Sequence, residues 1–143
     1  MNQFHRIHAI WNPHVYHGWG RSKKFFEGWY YKIVNESQTS AFAIIPGIAM
    51  DENGNKQSFI QVLDGINNIA KYHKFKAEEF KPTPRRHSLK IGRNYFSRDE
   101  ISLDLPEIKG DLKFKNLSPW SNSFLSPGIM GPYSFIPFME CYH

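Results

Sequence analysis

Short β-prone runs separated by polar turns recur along this chain, in places alternating apolar and polar with a period of two, the pattern of strands rather than of helices. Trp29 to Val34 reads as a first strand, closed by the polar turn Asn35-Glu36-Ser37-Gln38. Ala41-Phe42-Ala43-Ile44-Ile45 returns as a second, which Pro46-Gly47 should stop. Gln57 to Leu63 is the third, Asp64-Gly65 is a strong turn signal, and Ile69 to Phe75 comes back as the fourth. Beyond a charged link with Pro82 and Pro84 lies Ser88-Leu89-Lys90-Ile91. Ile101, Leu103 and Leu105 then alternate with Ser102 and Asp104, and Leu112 and Phe114 alternate with lysines. Helical periodicity is weak; the best stretch, Lys76 to Phe80, is too short to matter. The pattern predicts an all-β, antiparallel meander, either a barrel or a sandwich.

The last segment differs. Ile129 to His143 stays largely apolar to the final residue, where chains usually end in polar residues. A terminal aromatic strand would leave an exposed edge. The expectation is a domain incomplete at its C-terminus, covered there by a second domain or another copy of the chain.

Composition narrows the classes. A chain of 143 residues that is 41% hydrophobic and 16% aromatic can bury one core of its own. The expected organisation is an extended lead-in over residues 1–22 and a β domain over 23–143. Net charge is +5, but the basic residues are scattered. Arg85-Arg86-His87 follows two prolines and reads as a solvated turn, so no nucleic-acid partner is expected. Cys141 is the lone cysteine, which excludes an intrachain disulfide and suits a reducing compartment. The N-terminus lacks the pattern of a signal peptide, and no apolar run approaches the ~20 residues that span a bilayer. The expected location is cytoplasmic, with peripheral membrane contact left open. His5, His8, His14 and His17 are evenly spaced, but no cysteine or HExxH pattern accompanies them and Pro13 breaks a helix. They read as solvated or hydrogen-bonded residues; no metal and no cofactor are expected.

The densest stretch is Phe25-Phe26-Glu27-Gly28-Trp29-Tyr30-Tyr31-Lys32. A carboxyl among rings is either a solvated rim charge, the commoner fate, or an acid in a dry pocket, where desolvation raises its pKa.

The chain resembles the tocopherol cyclase family. The residues that carry the resemblance are Trp11-Asn12-Pro13, Tyr16-His17-Gly18, Phe25 to Lys32, Ile45-Pro46-Gly47-Ile48 and Ser58 to Gly65, followed by Ser126 to Gly131 and Pro137 to His143. They occur in the family's order and span nearly the whole chain, which is similar to the N-terminal part of members about twice as long. Pro132 departs from plant members, which tend to carry a large aromatic there. The resemblance implies a lipocalin-like barrel or strongly curved sheet, the first half of a two-barrel protein. It also implies a hydrophobic, isoprenoid or prenylquinol-type ligand and closure of a chromanol ring.

That reaction needs a carboxylic acid kept protonated, aromatic faces for a passing cation, and exclusion of water. The acids within the matching motifs are Glu27, Glu140 and Asp64. Asp64 precedes Gly65, and the plainer reading of it is a turn carboxylate bonding nearby amides. Trp29, Tyr31, Trp120 and Tyr133 are the candidate wall, with His17 or His143 as proton partner. The competing readings are a barrel that holds a lipid without transforming it, or a scaffold half completed by a second domain. All but the last expect the rings beside Glu27 and Glu140 to face inward.

Overall fold

The computed structural model describes residues 15–119 and the backbone of residues 122–123 and 126–127. The described chain is all-β apart from one 3-10 turn, Ala77–Glu79. Strands β1 (Phe25–Gly28), β2 (Tyr31–Val34), β3 (Ala41–Met50), β4 (Lys56–Asp64) and β5 (Ile69–Lys76) form one antiparallel sheet. A second holds β6 (Phe80–Pro82), β7 (Ser88–Ile91), β8 (Asn94–Ser97), β9 (Glu100–Asp104) and β10 (Lys109–Lys113). The backbones of β11 (Asn122–Ser123) and β12 (Ser126–Pro127) pair with each other. In the first sheet β1 and β2 both pair with β3, followed by β4 and β5; in the second, β6 to β10 pair in chain order, and among the described residues neither large sheet closes on itself. No helix of the described residues is long and apolar enough to cross a membrane.

The second predicted strand does not stop at Pro46-Gly47; β3 runs through both to Met50. The reason lies in which neighbour position 46 addresses. β1 and β2 share one register on β3, from Phe25 opposite Met50 to Val34 opposite Ala41, so they are one strand interrupted at Trp29 and Tyr30. The Trp29 N–H donates to the Pro46 carbonyl at 3.0 Å. An ordinary residue at 46 would donate back, and proline cannot. The lost donor therefore faces the interrupted edge strand, while β3 and β4 stay paired from Phe42 to Met50. The strands β6 and β8 were not expected: one is short, and the other (Asn94–Ser97) buries polar Asn94 and Ser97.

Residues directly opposite one another in a sheet share a face. Phe25, Glu27, Trp29, Tyr31 and Ile33 thus face the same way as Ile44, Ile48, Met50, Ile60 and Val62. This inner face packs on Leu89, Ile91, Phe96, Ile101 and Leu103 of the second sheet. Each large apolar side chain fully buried there contributes about 1.5–3 kcal/mol. Residues 15–22 form no strand, yet Val15 and Tyr16 are buried in the protein. At the far edge His73 of β5 bonds Glu107 in the β9–β10 turn, tying the two sheets together.

The outer face of the first sheet is unlike an ordinary wet face. Phe59 of β4 is buried there at 2% exposure, with its ring stacked between Phe26 and Tyr72 at centroid distances of 5.6 and 5.2 Å. The ring lies over Gly47, where an added Cβ would stand 2.4 Å from Phe59 Cζ and 2.6 Å from the Glu27 carbonyl oxygen. Only glycine admits that approach.

Candidate functional site

Alternation along β1 and β2 sets Glu27, Trp29 and Tyr31 in a row on the inner face, with Glu27 opposite Ile48 and Tyr31 opposite Ile44. Four residue steps of extended chain place Tyr31 about 13 Å from Glu27, at about 3.3 Å per residue. Each end of the row receives a histidine from elsewhere in the chain.

At the first end, His17 Nδ1 lies 2.6 Å from Glu27 Oε1. The His17 backbone N–H also donates to the carboxylate, at 3.0 Å to Oε2 and 3.3 Å to Oε1. The two side chains are only 13% and 15% exposed. Glu27 is therefore an inward acid and not a rim charge. Neighbouring Tyr16 makes edge or tilted ring contacts with Trp19, Phe25, Trp29 and Phe80 at 5.1–6.4 Å between centroids. Burial, and then the charge of Glu27, raises the Tyr16 pKa well above the ordinary tyrosine value, so its phenol stays neutral. Gly18 lets this ring in, since a Cβ there would meet Tyr16 Oη at 2.1 Å.

At the other end, the Tyr31 hydroxyl is hydrogen-bonded to His87 Nε2 and donates to the Ser97 carbonyl at 3.2 Å. The hydroxyl has one hydrogen, so when it serves Ser97, His87 Nε2–H is the donor of the other bond. The His87 ring also lies against Trp29 at 5.5 Å and Tyr31 at 5.9 Å. Burial first, and Tyr95 second, raises the Tyr31 pKa. The rings of Tyr16, Trp29, His87, Tyr31 and Phe114 thus form a continuous wall between the two polar ends. Beside His87 opens a cleft of about 370 Å³, lined by Arg86, Ser88, Tyr95, Ser97, Arg98 and Asp99 among others.

The remaining predicted residues divide plainly. Asp64 ends β4 at the β4–β5 turn: Oδ1 accepts from the Ile66 and Asn67 N–H groups, and Oδ2 from Asn67 Nδ2 at 2.8 Å. Those bonds, led by the Asn67 side chain, hold its pKa below the ordinary carboxylate value. That is the turn carboxylate, an ionised acid outside the row on β1 and β2. Glu140, Trp120, Tyr133 and His143 lie outside the described residues. His87 was missed, because the solvated-turn reading of Arg85-Arg86-His87 holds for the two exposed arginines but not for the half-buried histidine. Nothing local signals that contact, which joins positions 56 residues apart. Among the described residues no group of three or more metal-ligating side chains converges.

Comparison with known proteins returned no matching family model, no matching curated protein and no matching solved structure.

Proposed function

We propose that this chain is the N-terminal part of a tocopherol cyclase-like protein that holds a hydrophobic, isoprenoid or prenylquinol-type ligand, with Glu27 and His17 as its acid couple. The observation that carries the reading is the 2.6 Å contact between His17 and Glu27 at one end of an inward aromatic row. The ordered family motifs supply the ligand class. The antiparallel pairing of successive strands within each sheet is also compatible with an up-and-down, lipocalin-like barrel.

In this reading the proton shared by the Glu27–His17 couple passes to the trisubstituted alkene of the prenyl chain, leaving a tertiary carbocation. The negative faces of Trp29 and Tyr31 stabilise the cation as it passes. The phenolic oxygen closes the ring, and its proton returns to the Glu27–His17 couple. Atoms and electrons balance as an isomerisation without any redox partner. Glu140 is the second candidate acid; Asp64 has no part in the reading. Trp120 and Tyr133 would extend the wall, and His143 is the alternative proton partner.

The test is incubation of the purified chain with a prenylated benzoquinol, following chromanol formation in wild type, Glu27→Gln and Glu140→Gln. Turnover lost in Glu27→Gln with ligand still retained is the expected result. Retention without turnover in any form would leave a non-catalytic lipid-binding module. Neither retention nor turnover would overturn the ligand class as well, leaving a scaffold half.

A further inference from the structure

We infer that the outer face of the first sheet is a docking surface for an anionic lipid bilayer. The shared registers of β1 to β5 fix which residues lie on this face, and no aspartate or glutamate is among them. Glu27 alternates to the inner face, and the other acids near in sequence, Glu36, Asp51, Glu52, Asp64, Glu78 and Glu79, belong to the turns and strand ends that bound the sheet. The face instead exposes large rings: Phe26 at 68%, Tyr30 at 63% and Tyr72 at 51%. Lys32, Lys74 and Lys76 are exposed on the same face. Between these edge strands the face carries small or apolar Ala43, Ile45, Gly47 and Ala49 on β3, and Phe59 and Leu63 with the uncharged Gln57 and Gln61 on β4.

An antiparallel sheet with one face on the core ordinarily alternates to a polar outer face. Here rings interrupt that alternation, and Phe26 and Tyr72 form one patch because both stack on buried Phe59. Contiguous exposed apolar surface of this kind marks an interaction site. Charge selects the occupant. A cationic, acid-free face attracts phosphatidylserine-type headgroups, while tyrosine and phenylalanine rings suit the boundary between headgroup and acyl chain. A second copy of the chain would bring like charges together across the same face. The inference does not rest on the proposed chemistry at Glu27, which lies on the opposite face.

The experiment is sedimentation of the full chain with phosphatidylcholine vesicles and with phosphatidylcholine vesicles containing phosphatidylserine, at low and high salt. Binding should require phosphatidylserine and weaken with salt. Lys32→Gln should cost about fivefold in affinity, and the combined Lys32→Gln, Lys74→Gln, Lys76→Gln variant on the order of a hundredfold. Tyr30→Ser, at an exposed ring outside the Phe59 stack, should weaken binding while leaving circular dichroism unchanged. Binding unaffected by these substitutions would overturn the inference. So would a chain that ignores both vesicle types, whether or not it forms a concentration-dependent dimer. Because these vesicles contain no quinol, failure here is separable from failure of the ring-closing reading.

Discussion

Glu27 reaches the inner face of its sheet already partnered: one carboxylate oxygen lies 2.6 Å from His17 Nδ1, and both accept from the His17 backbone N–H. A single residue thus both orients the acid and anchors the lead-in segment against the β-sheet. An acid that is 15% exposed needs these donors, because a buried polar group without partners costs about 1–3 kcal/mol.

His17→Ala should therefore lower unfolding free energy by about 1–3 kcal/mol, and Glu27→Gln by less, since the amide oxygen still accepts the backbone bond. Urea midpoints of the two variants and wild type measure this. Equal stability in all three would mean that the pair is dispensable to the fold.

Phe59 and Gly47 depend on each other through the same close approach. Gly47→Ala should cost about 1–3 kcal/mol, as overpacking does, because the new methyl meets both the Phe59 ring and the backbone of Glu27. In a Phe59→Leu background the same substitution should cost measurably less, since one obstacle is smaller. Thermal unfolding of the four proteins checks it; strictly additive losses would place the clash elsewhere.

The Tyr31–His87 bond joins the two sheets near the cleft. A double-mutant cycle with Tyr31→Phe and His87→Ala should return a coupling of about 0.5–3 kcal/mol. No coupling by denaturant titration would reduce this contact to coincidence of placement.

Acid sensitivity follows from Glu107. Burial pushes its pKa up, but the His73 hydrogen bond, its own backbone amide, and the charges of His73 and Lys71 outweigh that, and the result lies below the ordinary 4.5. The folded state therefore binds this proton more weakly than the unfolded chain. The stabilisation is fully present above about pH 4.5 and is lost as pH falls through the lower folded value. Asp104, held down chiefly by its bond to Lys109, has the same sign. Urea midpoints measured from pH 6 to pH 3 should fall, and Glu107→Gln should flatten that slope. A variant slope equal to wild type would remove Glu107 from the account.

Much of the architecture was legible because strand formation follows local alternation. The span Ser88 to Ile91 matches β7 residue for residue, and Gln57 to Leu63 lies one residue inside β4 at each end. Pro46 misled, since the cost of a proline in a strand depends on which neighbour would have received its N–H, and pairing partners are not written locally. Asn94–Ser97 was missed for a related reason: its polar residues are buried because the fold supplies their hydrogen bonds, as when Asn94 Nδ2 donates to the Ile91 carbonyl.

The sequence by itself determined the all-β class, the β1 to β5 meander and the concentration of acid and rings between Phe25 and Lys32. The turn role of Asp64 was legible too; tertiary structure alone decided that Glu27 faces inward with His17 and that His87 arrives from 56 residues away to meet Tyr31. The physical reason is range: alternation and turn chemistry act over a few residues, whereas the face a side chain takes is fixed by the register of strands distant in sequence.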